Sequence, residues 1–160
     1  MEGLLFGLTL AAAIGCGLNG GVFFAFSSFV MPALGKLDPA KGNEAMQSIN
    51  VQAPTPVFMS ALFGTAALCA ALAVWGLTAL GEGYGPYLLA GALVYLAGTI
   101  AMTGAFHIPR NNELAATDPV SAEGKAVWAR YLAEWTGGNH VRALSGVVAA
   151  GLFAVALTGG

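Results

Sequence analysis

The sequence predicts an all-α integral membrane protein, a four-helix bundle that forms one domain over residues 1–160. The first observation is composition: 57% of the residues are hydrophobic and 9% are charged, whereas soluble domains carry roughly 25% charged residues. The second is four long apolar runs, each able to cross a hydrocarbon core of about 30 Å. These predicted spans cover residues 4–30, 56–80, 87–106 and 141–158. The third is that most polar residues fall in two long connections between the spans, and the net charge of −2 leaves no basic surface for nucleic acid.

The first span carries no charge and, at 1.5 Å per residue, extends over about 40 Å, so we expect it to tilt or to project from the bilayer. Gly17 and Gly21 are spaced as GxxxG, which predicts a face for close helix packing and a homo-oligomer contact. Asn19 lies in the middle of the span, where a polar side chain needs a partner. It either contacts a ligand in the bundle interior or makes an interhelical hydrogen bond.

The first long connection, residues 32–54, contains Asp38 followed by Pro39. Aspartate is a preferred helix N-cap, and proline is favoured at the first helical position. We therefore expect a short amphipathic helix from here to about Asn50, with Met46 and Ile49 on its apolar side.

The second span begins at Pro56, again a favourable first helical residue. The glycine-rich segment 81–86 follows that span and is short enough for a tight turn. Spans two and three are thus predicted to form an antiparallel helical hairpin.

The second long connection, residues 107–139, also contains an Asp-Pro pair, at 118–119, which predicts a helix start. Trp128, Leu132 and Trp135 follow at intervals of four and three residues, which is typical of an amphipathic helix lying at the membrane interface. The Gly137-Gly138 pair is predicted to end this helix before the last span.

An even number of spans places both termini on one side and both long connections on the other. All six basic residues lie in or beside those connections: Lys36, Lys41, Arg110, Lys125, Arg130 and Arg142. The positive-inside rule then predicts cytoplasmic connections and external termini, in a bacterial-type inner or plasma membrane.

Polar side chains capable of chemistry concentrate at the end of the third span and the start of the fourth, and the predicted topology brings these ends to one membrane face. His107 or His140 could act as a general base, because the imidazole pKa lies near neutrality. Arg142 could stabilise an anion. Three asparagines could orient a substrate oxygen: Asn111, Asn112 and Asn139. Alternatively, the basic side chains anchor helix ends to headgroups and the asparagines cap turns.

The sequence predicts no cofactor and no metal site. Cys16 and Cys69 lie within apolar runs and are interpreted as packing residues, because no Cys/His spacing typical of zinc sites is present. A metal ion or a b-type haem between His107 and His140 is a minor alternative. The aromatic side chains of the last connection, Trp128 and Trp135 among them, either line a substrate pocket or form an interfacial belt.

Three segments resemble, in chain order, the motifs of the DUF1772, or anthrone oxygenase-like, membrane family. They are the Gly- and Phe-rich end of the first span (20–34), the run Ile108–Leu114, and the closing region from Trp128 to Asn139–Arg142. The family's motif positions map onto Asn111, Asn112, Trp128, Trp135, Asn139 and Arg142.

The resemblance implies a four-helix membrane protein. Some family members are described as anthrone oxygenases, which insert oxygen at an activated carbon of a polycyclic phenol without a known organic cofactor. The expected function is therefore an oxygenase that acts with O₂ on an anthrone-type or other apolar substrate, with membrane lipid and that substrate as partners. Two alternatives remain: a non-enzymatic membrane subunit or small-molecule binder, for which a filled interior near Arg142 is expected, and a metal- or haem-dependent redox protein.

Overall fold

A computed structural model describes residues 3–159, and this part of the chain is helical with no strand. Met1, Glu2 and Gly160, which the predicted single domain includes, lie outside the described residues. The helices are α1 (Gly3–Leu34), α2 (Pro39–Gln52), α3 (Pro56–Thr78), α4 (Gly85–Ala115) and α5 (Ala122–Leu157). All except α2 are long and apolar enough to cross a membrane. The predicted fold class, a membrane four-helix bundle, is confirmed.

Helices α2 and α3 begin where the sequence predicts. The Asp38 carboxylate accepts a hydrogen bond of 3.0 Å from the Ala40 N–H, and Pro39 occupies the first helical position. The Thr55 hydroxyl accepts from the Phe58 N–H at 3.2 Å, again with proline in the first turn. Each side chain satisfies a backbone donor that the first turn of a helix leaves free.

The second connection differs from its prediction. Helix α4 continues past the predicted end of span three to Ala115, and α5 is one helix of 36 residues. The Gly137-Gly138 pair does not end it, so the predicted interfacial helix is the first half of α5. A Cβ atom on Gly138 would lie 2.4 Å from a ring carbon of Phe106. Packing against α4, rather than helix termination, accounts for this glycine.

The start of α5 also lies later than predicted. The Asp-Pro pair at 118–119 forms a turn, and the N-cap is Ser121, whose hydroxyl accepts from the Gly124 N–H at 2.9 Å. The turn is tight because Gly124 faces the Asp118 carbonyl, where a Cβ atom would have no room. A helix does begin in this region as predicted, but its N-cap is Ser121 and not Asp118.

Helix α5 packs along α1 and α4, and its closest approach to α1 is at two glycines. A Cβ atom on Gly146 would lie 2.7 Å from the Gly20 Cα. The GxxxG residues themselves do not make this contact: a Cβ atom on Gly21 would meet no atom of another segment within 4 Å, and a Cβ on Gly17 would make only an ordinary contact of 3.8 Å. Close packing inside the bundle therefore uses Gly20, and the homo-oligomer contact through Gly17 and Gly21 stays a prediction.

We expect Gly146→Ala to destabilise the protein, because the added methyl group has no space against the α1 backbone and overpacking costs about 1–3 kcal/mol. Gly151→Ala is the matched control on the same helix, since a Cβ atom added there would meet nothing within 4 Å. Thermal unfolding in detergent should show a lower Tm for the first variant and an unchanged or higher Tm for the second. Equal Tm values would contradict the packing described here.

Three short stretches of π-helix interrupt the regular α-helical winding. One lies in α1 at Phe26–Val30, and two lie in α4 at Leu96–Ala101 and Thr103–His107. Such segments are rare and frequently occur at functional sites. Nothing in the sequence pattern predicted them, and two of the three flank the cavity described next.

Candidate functional site

A cavity of about 230 Å³ lies where all five helices meet, and α2 forms part of its wall. Its wall is mostly apolar and aromatic and includes Phe23, Phe26, Met46, Phe58, Leu62 and Trp135. Four polar side chains also line it: Asn50, Thr103, Asn111 and Arg142. An apolar pocket with a few convergent polar groups is the usual form of a small-molecule site.

Arg142 is the cation of this cavity, and only 5% of it is exposed. Its Cζ lies 4.2 Å from the centroid of the Phe23 ring and 5.1 Å from that of the Trp135 ring, which are cation–π distances. The ion pairs within residues 3–159 are Arg110 with Glu134 and Arg130 with Glu113, so no carboxylate neutralises Arg142 there. A buried charge without a counter-ion is costly, and an anionic ligand in the cavity would offset that cost.

Asn139 holds the guanidinium in place. Its Oδ1 accepts from Arg142 Nε at 3.1 Å and from Nη2 at 2.7 Å. Its Nδ2 donates to the Phe23 carbonyl and to Ser27 Oγ, both at 2.7 Å. Every part of this buried amide is used within the protein and it does not line the cavity. Asn139, a predicted substrate-binding residue, therefore lies behind Arg142 and positions it.

Two N–H groups of Arg142 remain free to bind a ligand. The Nη1 atom donates to Thr103 Oγ1 at 3.3 Å, in addition to the two bonds to Asn139. Arginine has five N–H donors, and within the described chain the other two have no acceptor. A permanent charge with two unused donors is well suited to an oxyanion.

Asn111 also lines the cavity, and its amide orientation is fixed. The Oδ1 atom accepts from Tyr131 Oη at 2.8 Å and from Trp135 Nε1 at 2.9 Å. Indole N–H is only a donor, so the atom that it contacts must be the oxygen. The Nδ2 end of Asn111 then has no hydrogen-bond partner in the described chain and is available to a ligand.

The aromatic residues of α5 form a stack that ends at the cavity. Trp128, Tyr131 and Trp135 follow one another with ring centroids 5.9 Å apart and nearly parallel planes. Trp135 lines the cavity, whereas Trp128 packs on α2, where a Cβ on Gly42 would lie 2.9 Å from its ring. Both tryptophans are buried, so neither belongs to an exposed interfacial belt.

The two histidines, the predicted bases, do not line the cavity. His107 is buried behind Trp135, with ring centroids 5.3 Å apart, and its Nδ1 donates to the Met102 carbonyl at 3.0 Å. His140 is exposed on α5. His107 packs against Gly138, and a helix residue two positions later points about 200° away. The structure therefore does not bring the two imidazoles together for a metal ion or haem.

Two further predicted site residues lie elsewhere. Asn112 is exposed on α4. Asn19 lies in the bundle core, where its Nδ2 donates to the Gly15 carbonyl at 2.9 Å and to Tyr95 Oη at 3.0 Å. The latter is the interhelical hydrogen bond that the sequence left as one of two interpretations. Cys16 and Cys69 share this core, with Sγ atoms 3.8 Å apart.

Sequence reasoning missed three polar residues of the site. Asn50 and Thr103 line the cavity, and Ser27 accepts from Asn139. The neighbouring Ser28 instead bonds to its own helix, donating to the Phe24 carbonyl at 2.7 Å. The location of Asn50 at the end of a predicted amphipathic helix was the only available signal. Ser27 and Thr103 lie in π-helical stretches, which no sequence pattern indicated.

A family model described as Anthrone oxygenase matches residues 56–152, more than half of the chain. No curated protein and no solved structure matches. The matched segment contains Asn111, Trp135, Asn139 and Arg142, which form the cavity wall and its support. This chain of apolar membrane-length helices belongs to the anthrone oxygenase family.

Proposed function

We propose that this protein is a membrane oxygenase that binds a small fused-ring ketone of the anthrone type, stabilises its enolate, and lets that enolate react with O₂. The observation that carries the proposal is Arg142, a buried cation without a carboxylate partner in the described chain, on the wall of an apolar cavity. The family match supports an oxygenase-like reaction.

The cavity wall suits a flat, apolar substrate. Phe23 and Phe58 lie edge to face with centroids 6.5 Å apart, and Trp135 presents its indole beside Arg142. Aromatic rings stack favourably on such walls. The volume of about 230 Å³ is below the roughly 300–1,000 Å³ of pockets for drug-sized ligands, which favours one fused-ring skeleton with few substituents.

Arg142 favours ionisation of the substrate. An anthrone-type ketone has an acidic C–H group opposite its carbonyl, and loss of that proton places negative charge on the carbonyl oxygen. The two free N–H groups of Arg142 would hold that oxyanion in a low-dielectric site, where charge interactions are stronger than in water. Because neither histidine lines the cavity, the proton passes to water at the edge formed by Ala53 and Pro54, which are exposed.

The oxidation then balances without a further reductant. The enolate gives one electron to O₂, and the resulting carbon radical and superoxide combine into a peroxide, which takes up one proton. The peroxide carbon loses its remaining hydrogen as a proton while the O–O bond breaks. One ketone and one O₂ thus give one quinone and one water.

The second candidate is a binder of apolar anions without turnover. It is favoured by the lack of a basic side chain other than Arg142 on the described cavity wall. The filled interior expected for a non-enzymatic subunit is not observed, because the cavity lies beside Arg142.

Anthrone oxidation by the purified protein separates these two functions. The protein in detergent is mixed with anthrone and air-saturated buffer, and quinone absorbance is followed, with empty detergent micelles as the control. A rate well above that of the micelles supports the oxygenase. Binding of anthrone with no added rate, in metal-free and metal-loaded samples alike, would leave only the binder.

We also propose that both long connections face the cytoplasm, since they carry the basic residues. Cysteines introduced at Glu82, in the short turn, and at Lys41, in α2, report the orientation. A membrane-impermeant maleimide added to intact cells should label Glu82→Cys, and Lys41→Cys only after permeabilisation. The buried native Cys16 and Cys69 should give little background. The reverse pattern would overturn the orientation.

A further inference from the structure

The cavity contains a second polar group, separate from Arg142, built around the Tyr131 hydroxyl. Asn111 Oδ1 is an acceptor because Trp135 Nε1 donates to it, so Tyr131 must donate its hydroxyl hydrogen to the same oxygen. The Tyr131 oxygen then acts as an acceptor towards Asn50, whose Nδ2 lies 3.4 Å away. Hydrogen-bond directions are thereby assigned along the whole chain of three side chains.

This assignment leaves unpaired amide N–H donors and one unpaired amide oxygen at the cavity wall. Within residues 3–159, Asn111 Nδ2 donates no hydrogen bond and Asn50 Oδ1 accepts none. Both residues line the cavity, and both form a hydrogen bond with the Tyr131 hydroxyl group. A neutral hydroxyl group is the ligand group that fits, because it can accept one hydrogen bond and donate another.

The second group lies apart from the cation. The two groups contact different parts of Trp135, since its Nε1 bonds to Asn111 at 2.9 Å while the Arg142 Cζ lies 5.1 Å from its ring centroid. We infer that a substrate oxygen at Arg142 and a second one at Asn111 belong to different parts of the same ring system.

Resting on the proposed function, we propose that Asn50 and Asn111 form a hydroxyl-binding subsite, and that the favoured substrate carries a hydroxyl on an outer-edge ring carbon, remote from its ionising carbonyl. Asn111 donates to the hydroxyl oxygen and Asn50 accepts its hydrogen. A site built to hydrogen-bond a hydroxyl discriminates against the analogue that lacks it, because its own polar groups are then left unpaired.

Three substrates test the two halves of the subsite separately: anthrone, β-hydroxyanthrone and β-methoxyanthrone, where β is an outer-edge carbon. The methoxy oxygen can accept from Asn111 but has no hydrogen for Asn50. We expect kcat/KM to rise from anthrone to methoxy to hydroxyl, by roughly tenfold overall. Equal values for the three substrates with the wild-type protein would overturn the subsite.

For each variant, the kcat/KM values of the three substrates are compared as ratios. A general loss of activity lowers all three values equally and leaves these ratios unchanged. In Asn50→Leu the hydroxyl substrate should fall to the level of the methoxy substrate. In Asn111→Leu the methoxy substrate should fall to the level of anthrone, while the hydroxyl substrate should keep only the part of its advantage that comes from Asn50. Asn112→Leu, an exposed asparagine on the same helix, should keep the wild-type ratios. Wild-type ratios in both cavity variants would reject the assignment.

Binding separates failure of the subsite from failure of the oxygenase. β-Hydroxyanthraquinone and anthraquinone do not react, and their Kd values can be measured by titration calorimetry. If no substrate is oxidised but the hydroxyl compound binds roughly tenfold tighter, and Asn50→Leu removes that difference, the oxygenase proposal fails and the subsite stands. Equal Kd values in the wild-type protein would reject the subsite whatever the activity.

Discussion

Replacing Arg142 with methionine is expected to lower kcat/KM for anthrone oxidation by about 10²–10³-fold, the loss typical of removing an oxyanion donor. The methionine fills similar space against Phe23 and Trp135 but cannot hold a negative oxygen. The kcat/KM of Arg142→Lys should lie between those of the wild type and Arg142→Met, because lysine keeps the charge without the planar guanidinium group. The measurement is the initial rate of quinone formation over a range of anthrone concentrations.

The same substitution should not unfold the protein. The substitution removes a buried charge that lacks a counter-ion, which is favourable. It also leaves the buried Asn139 Oδ1 without its two donors, which costs about 1–3 kcal/mol. Because the two effects oppose each other, the Tm of Arg142→Met should stay close to that of the wild type. Arg110→Met is the matched control: this arginine is partly exposed, pairs with Glu134 and lies outside the cavity. A folded Arg142→Met with wild-type kinetics would remove the basis of the proposed mechanism.

Asn139→Asp is expected to lower kcat/KM for anthrone about 10²-fold, although it removes no group that touches the substrate. The new carboxylate would replace an amide that already contacts Arg142 at 2.7 Å and 3.1 Å. It would form an ion pair and neutralise the guanidinium, so an enolate in the cavity would no longer meet an unpaired cation. The initial rate of quinone formation is again the measurement.

Ligand charge distinguishes loss of the cation from general damage. Affinity for an ionised hydroxyanthraquinone should fall, while affinity for neutral anthraquinone should change little, because the apolar wall is unaltered. A disrupted cavity would weaken both. Asn112→Asp adds the same charge on an exposed part of α4 and should leave both affinities unchanged. Equal losses for the two ligands in Asn139→Asp would show that Asn139 acts on the fold alone.

Several features of the fold were predictable because they depend on local sequence. A segment in lipid must satisfy its backbone hydrogen bonds internally, so an uncharged run of about 20 residues is sufficient to predict a spanning helix. The caps at Asp38 and Thr55 are equally local, since each side chain bonds to a backbone N–H two or three residues away.

The continuity of α5 was not predictable in the same way. A Gly-Gly pair is a normal helix end, and here only the Phe106 ring, brought in by α4, explains why Gly138 lacks a side chain. The same reason explains why the GxxxG pattern did not identify Gly20 as the close-packing glycine of the first helix. Its partner, Gly146, lies more than a hundred residues further along the chain. Contacts between distant segments decided both cases.

The sequence by itself determined four membrane-length helices and a polar region between the third and fourth, and it indicated Arg142 and Asn111, both of which line the cavity. Only the tertiary structure decided that His140 faces outward, that Asn139 supports the arginine, and that Asn50 completes the cavity. The physical reason is that the apolar content of a helix is set along the chain, whereas the direction of each side chain depends on how the helix is rotated. Close glycine contacts and π-helical turns set that rotation, and both arise only when the helices pack.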